Sequence, residues 1–226
     1  MPEQLSFPLP RRDGRAAGDF HVGEGNRDAV DLIRRRQGTD GWPGGKLLLC
    51  GPEGSGKTHL AHIEAAETGA ALMDARAGLQ TQAQPAVIVD NADAVAGDPA
   101  AEEALFHLHN NQFNTGGTLL MTARTRPGEW GVTLPDLASR MMATTVAKIG
   151  APDDQTLRAI VIKLLSDRQL KATPDVIDHL VAHMDRRYAS PARLVAALDE
   201  TALASGRAIT RAMAARVLDA DRRGGA

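Results

Sequence analysis

Cysteine is nearly absent from this 226-residue sequence. Cys50 stands alone, which excludes an intramolecular disulfide framework, and no Cys/His spacing suggests zinc. Aromatic residues make up only 3%, so a core has to be built from Ala, Val, Leu, Ile and Met, an alanine-rich mixture that suits helices. Long apolar runs are missing as well: none approaches the roughly 20 residues that cross a bilayer. The opening "MPEQLSFPLPRRDGR" has no apolar segment of the signal-peptide kind, so a cytoplasmic protein without membrane association is the default expectation. Charge of one sign is also lacking. The formal net charge is −2, and no global basic field argues for nucleic acid as the main partner.

What is present is ordinary for a globular chain, with 43% hydrophobic and 24% charged residues. The length suffices for one core or a core plus a small companion. Residues 1–18, with prolines around Phe7 and Leu9, read as an extended tail. Helical periodicity begins near Asn26, with Ala29, Val30 and Ile33 on one face, and ends in Arg34–Arg36, which suit a helix C-terminus facing solvent.

From Lys46 the pattern alternates in the α/β manner. "KLLLC", "AALM", "AVIVD", "TLLMT" and "TTVAKI" are candidate strands, apolar throughout as strands covered on both faces are. Helices are expected over Lys57–Glu67 and across "EEALFHLHNNQF". After Gly150 the strands stop, and four helical stretches follow, with Asp153, Thr173, Ser190 and Thr210 as start signals. The expected architecture is a parallel sheet covered by helices on both faces over residues 19–150, then a small helical lid over 151–226.

"GPEGSGKT", Gly51–Thr58, matches the P-loop pattern. Its glycines, with Pro52, Glu53, Gly54 and Ser55 between Gly51 and Gly56, let successive backbone N–H groups face one cavity at a helix N-terminus, where phosphate oxygens bind. Lys57 is placed to reach terminal phosphates and Thr58 to hold Mg2+. Asp90, closing "AVIVD", is the natural second residue at the metal. Asn91 follows where many such enzymes carry a glutamate. An amide can orient water but cannot accept its proton, and Asp93 stands two residues further on, so slow intrinsic ATP turnover is expected. His59 with His62, and His107 with His109, are not spaced to share a helical face.

Several segments together carry a resemblance. "DFHVGEGNRDAV", the "VDNAD" strand end, "LPDLASRM" and the helical lid resemble the AAA+ module of the bacterial replication initiator DnaA. They are still more similar to its regulatory relatives, the Hda group, which trigger hydrolysis of ATP on DnaA. The likeness covers nearly the whole chain. It implies that Phe20, Val22, Gly23 and Asn26 line an adenine site and that Thr122 is a polar sensor, although the following "ART" departs from the initiator's pattern. Arg193 of "SPARL" is the candidate lid arginine, displaced by one position from that pattern. Arg140 is implied as an arginine finger acting in trans, on a nucleotide held by a neighbour. "QLSFPL", comprising Gln4, Leu5, Ser6, Phe7, Pro8 and Leu9, is similar to peptides that dock on the sliding clamp. Its glutamine amide suits a small polar pocket and its apolar side chains a greasy one.

The preferred reading is therefore a regulatory AAA+ adaptor holding ADP or ATP with Mg2+, whose partners are DnaA and the clamp. DNA contact is expected to be indirect, and homodimerisation is open. The alternative is an autonomous DNA-remodelling ATPase such as a helicase-loader-like protein, against which Asn91 counts. Replication initiation itself calls for a DNA-reading helix-turn-helix after the lid, and no such segment is expected after "TRAMAARVLD". A small-molecule P-loop kinase leaves the lid and tail without purpose.

Overall fold

The structure is a computed structural model that describes residues 20–36, 41–81 and 84–224. The tail proposed for residues 1–18, and with it Gln4–Leu9, lies outside the described residues. Five strands, β1 (Lys46–Cys50), β2 (Ala71–Asp74), β3 (Ala86–Asp90), β4 (Thr118–Ala123) and β5 (Thr145–Lys148), form one parallel sheet in the order β2-β3-β4-β1-β5. Central β1 is buried along its whole length, as its unbroken apolar run requires.

Side-chain alternation divides that run between two layers. Leu48, Val87, Val89, Leu119 and Met121 face α3 (Pro99–Thr115) and α4 (Pro135–Met142), where they meet Leu105, Leu108, Leu137 and Met141. Leu47, Leu49, Ile88 and Leu120 face α1 (Arg27–Arg34) and α2 (Lys57–Thr68), packing on Ala29, Val30, Ile33 and Leu60. The two tryptophans are buried, and each indole satisfies its N–H locally: Trp42 donates to the Leu32 carbonyl at 2.7 Å and Trp130 to that of Thr125 at 2.9 Å.

Four helices follow: α5 (Asp154–Asp167), α6 (Pro174–His183), α7 (Ser190–Ser205) and α8 (Arg211–Gly224). They surround an apolar cluster of their own that includes Leu157, Val161, Leu180, Leu194, Leu198 and Val217. Asp153 caps α5 by accepting the Thr156 N–H at 2.6 Å, and Thr210 caps α8 through the Met213 N–H at 3.3 Å. Two more helices start where the sequence expects them, but without a side-chain cap. Thr173 makes no side-chain cap bond, leaving Pro174 at the first position to set the helix. Ser190 is already helical, its hydroxyl fully buried without a partner among the described residues. Nor is Arg36 left to solvent: it forms an ion pair with Glu64 on α2 and reaches Glu67 at 3.5 Å. Among the described residues no helix is long and apolar enough to cross a membrane.

Helix α4 has a distinctive anchor. Glu102 on α3 is wholly buried, and its carboxylate accepts the N–H groups of Gly97 (2.9 Å), Thr133 (3.0 Å) and Leu134 (2.8 Å) and the Thr133 hydroxyl (2.9 Å). Burial alone raises a carboxyl's pKa. Here four donors outweigh it and hold Glu102 at about 2. The acid thus fixes the chain at the entrance to α4.

Glu102→Gln replaces an acceptor oxygen with an amide facing those donors, and should cost on the order of 3 kcal/mol in denaturant unfolding. Because the folded-state pKa is depressed, Glu102's contribution is present above the ordinary glutamate range, near 4.5, and is lost as pH falls toward about 2. The acid limb of the stability–pH curve should therefore flatten in the variant.

Candidate functional site

The P-loop leaves the C-terminal end of β1 and enters α2, at the sheet edge where open parallel sheets form crevices. Its geometry requires glycine. Gly56, immediately before α2, has φ +86°, and a Cβ there would lie 2.8 Å from the Phe20 ring. The Gly51 N–H donates to the Ala123 carbonyl at 3.2 Å, stitching the loop to the end of β4.

Lys57 folds over the loop, its ammonium donating to the Gly51 and Pro52 carbonyls at 2.7 and 2.8 Å. Burial pulls its pKa below the ordinary lysine value. Asp93 and Asp90 oppose that pull, whereas Arg124 adds to it.

Asp90 ends β3 with both carboxylate oxygens engaged. Oδ2 accepts the Thr58 hydroxyl at 2.8 Å, and Oδ1 accepts that of Thr122 at 2.5 Å. The Thr122 oxygen in turn accepts the Asn91 N–H at 3.0 Å. The Asn91 side-chain amide donates to Asp90 and to Asp74, at 3.2 and 3.1 Å. Asn91 has φ 56°, a left-handed conformation that asparagine tolerates better than most residues, so its identity has a backbone reason beside the chemical one. Asp93 spends one oxygen on the Arg124 N–H at 3.0 Å.

Beside the loop lies a cleft of about 720 Å3 lined by Phe20, His21, Asn26, Gly54, Ser55, Gly56, His59 and Tyr188, with Thr156, Ile160 and Lys163 contributed by α5. Phe20 meets His59 edge to face at 5.7 Å. The Ser55 and Tyr188 hydroxyls are buried with no hydrogen-bond partner among the described residues, so both have bonding capacity left over at the cleft.

Asn26 shapes the wall. Its side chain accepts the Gly23 N–H and donates to the His21 carbonyl, both at 2.9 Å, and Asp153 of the lid accepts the Glu24 N–H at 2.7 Å. Val22 and Gly23 line a neighbouring hollow with Asp153 and Asp154. Pro52 and Glu53 are exposed at the tip of the loop. His59, Tyr188 and the α5 residues escaped sequence reasoning. Only the placement of Tyr188, the sole tyrosine, just before "SPARL" could have drawn attention to one of them.

Arg193 is not among the cleft residues. Its guanidinium forms a two-pronged ion pair with Asp221 on α8.

Arg140 is elsewhere again, in the last turn of α4, exposed, with its guanidinium 5.4 Å from the centre of the Phe106 ring. Its charge reaches Lys46, the first residue of β1, and His109. The P-loop leaves the other end of that strand, about 13 Å away at the rise of a parallel strand. Lys46 is buried with its ammonium 4.6 Å from the Phe113 ring centre, and its pKa is lowered by burial and by Arg140. Burial, with Lys46 and Arg140 adding, pushes His109 down to about 4, so it remains neutral at ordinary pH.

No protein-family model matches the chain. Solved structures do. Domain III of the replication initiation protein DnaA from Thermotoga maritima aligns with a TM-score of 0.71 at 18% identity, over 93% of this chain and 98% of that one. AMPPCP-bound DnaA from Aquifex aeolicus gives 0.66 at 20% identity, over 95% and 72%. The RuvB Holliday junction branch migration motor of Thermotoga maritima gives 0.60 at 16% identity, over 87% and 67%. The parallel sheet, its helical layers and the helical lid are thus those of the AAA+ fold, the DnaA and RuvB modules being similar in architecture.

Because Arg193 is committed to Asp221, Arg193→Ala should leave any affinity for ADP or ATP unchanged in titration calorimetry. Stability should fall by less than about 1 kcal/mol, as for an exposed pair. A large loss of affinity would show that the arginine leaves Asp221 for the nucleotide.

Proposed function

We propose that this protein is a regulatory AAA+ adaptor. It holds ADP or ATP with Mg2+ at the P-loop, docks on the DNA-loaded sliding clamp through Gln4–Leu9, and presents Arg140 to ATP held by DnaA. Hydrolysis of that ATP restrains replication initiation. The observation that carries the reading is the separation of Arg140 from its own P-loop: α4 ends just before β5, whose first residue Thr145 pairs with Leu47 at the start of β1, whereas the P-loop leaves the other end of that strand. An exposed arginine there has no phosphate of its own chain to serve, and among the described residues no carboxylate pairs with it.

The residues at the P-loop fit the nucleotide. The Ser55 hydroxyl is buried with no partner among the described residues, Lys57 is poised to exchange two carbonyls for phosphate oxygens, and the cleft beside them has the size of a small-molecule site. Thr58 and Asp90, already in contact, would hold Mg2+, which neutralises phosphate charge. Asn91 offers its amide to Asp90 and supplies no base, so the bound nucleotide serves mainly to hold the lid and sheet together. Arg140 then does its work in trans, stabilising charge on a phosphoryl group leaving a neighbour's nucleotide.

Arg140→Ala should abolish stimulation of hydrolysis on DnaA, a loss on the order of 10³-fold, while clamp and ADP binding persist. Loss of ADP binding in that variant would assign the residue to structure instead. Changing Gln4 and Leu5 together to alanine should remove clamp binding, read by surface plasmon resonance, without altering the unfolding midpoint. Unchanged clamp affinity would remove the tail from the proposal.

A further inference from the structure

Lys46 opens β1, a strand whose other residues are all apolar, and neither the P-loop nor the proposed adaptor role gives it a task. The residue is 6% exposed. Its ammonium has no carboxylate partner among the described residues and rests 4.6 Å from the centre of the Phe113 ring. A buried ammonium facing one ring is poorly compensated, because a cation–π contact replaces only part of its hydration. An apolar side chain of similar volume would serve the fold as well or better. The surroundings add further positive charge. Phe106, His109 and Phe113 recur along one side of α3, and Arg140 lies over the first of these rings as Lys46 lies over the last. The backbone brings the two cations to one end of the sheet by a separate route: the Thr144 hydroxyl donates to the Arg140 carbonyl at 2.9 Å, and the next residue, Thr145, pairs with Leu47. Between the rings His109 is buried and neutral, its Nδ1 without a partner among the described residues. The acids of α3 are already engaged: Glu102 by its own donors, and Glu103 by His107 at 3.4 Å. Phe113, which covers the ammonium, is 61% exposed, so its ring can turn aside.

We propose that Lys46 is a second cation of the site that Arg140 forms in trans: it leaves the Phe113 ring and binds an oxygen of the phosphate chain held by the neighbouring molecule. The inference rests on the in-trans reading of Arg140 proposed above. An ammonium is a compact point charge on a flexible four-carbon stem, and it complements the fixed fork of a guanidinium. In the step itself, a water oxygen bonds to the terminal phosphorus as the bond to the bridging oxygen breaks. The electron pair of that bond leaves on the diphosphate. One water proton stays on the released phosphate and the other passes to solvent, so neither cation gives up a proton. Both stabilise the negative charge spread over the phosphate oxygens, an effect that is strongest where water is excluded. The Phe113 ring is the resting seat of the ammonium, vacated when the anion arrives.

The test measures phosphate release from ATP preloaded on DnaA, with DNA-loaded clamp and the whole chain carrying each substitution. Lys46→Met keeps an unbranched side chain and removes its charge. It should lower the stimulated rate at least about tenfold, the scale of a lost charge-stabilising contact. Its unfolding midpoint should hold or rise, because a buried charge has been replaced by an apolar group. Lys46→Arg, which keeps the charge, should retain most of the stimulation. Lys171→Gln removes one positive charge from the exposed connection between α5 and α6. It should change the rate less than about twofold, as a distant, screened charge does. Undiminished stimulation by Lys46→Met, equal losses in Lys46→Met and Lys46→Arg, a lowered midpoint in Lys46→Met, or a Lys171→Gln effect matching that of Lys46→Met would overturn the proposal while the adaptor reading stands. Absence of stimulation by the unaltered protein would overturn both.

Discussion

The buried carboxylate of Asp90 is the point on which the rest of the site depends. A desolvated anion is tolerable only when its oxygens are satisfied, and Asp90 meets that condition through Thr58 at the start of α2 and Thr122 near the end of β4. One acid thereby joins the helix that follows the P-loop, the strand that ends beside it and its own strand β3. The Gly51–Ala123 hydrogen bond adds the end of β1 to the same junction. Because these strands are neighbours in a parallel sheet, their C-terminal ends converge without any loop having to be bent into place. Phe20 lies so close to Gly56 that a side chain there would collide with its ring, and Tyr188 lies beside Gly54.

The opposite end of the sheet is organised by a different set of charges. Glu102 fixes the entry to α4 with four hydrogen bonds, and Arg140 leaves that helix in its last turn. Buried Lys46 lies nearby, and neutral His109 avoids adding a third positive charge. Mutual repulsion with a buried lysine favours an outward-facing arginine, and the Phe106 ring gives the guanidinium an apolar rest. On the proposed reading, one end of β1 receives a nucleotide and the other end acts on a nucleotide held elsewhere.

Much of this arrangement was legible in the sequence because it is local. "KLLLC" and "AVIVD" are strands with the bounds their composition suggests, and the P-loop turn follows from glycine spacing. What stayed hidden is tertiary. Glu102 looks like any early-helix acid until the loop before α4 is laid across it, and Arg36 looks like a solvated helix end until α2 brings up Glu64. The short helix α4 has a weak sequence signal, since only Leu134–Pro135 marks its start. Tyr188 and the α5 residues enter the cleft by packing of the lid, which no motif encodes. Asn91 is instructive in another way: the missing base was readable from its chemistry, but its left-handed backbone was not.

The most direct test of the account is phosphate release from ATP preloaded on DnaA, measured with and without this protein and DNA-loaded clamp, beside the protein alone with ATP. The account predicts acceleration only in the complete mixture. Rapid turnover by the protein alone, indifferent to DnaA and clamp, would contradict it and point to an autonomous ATPase.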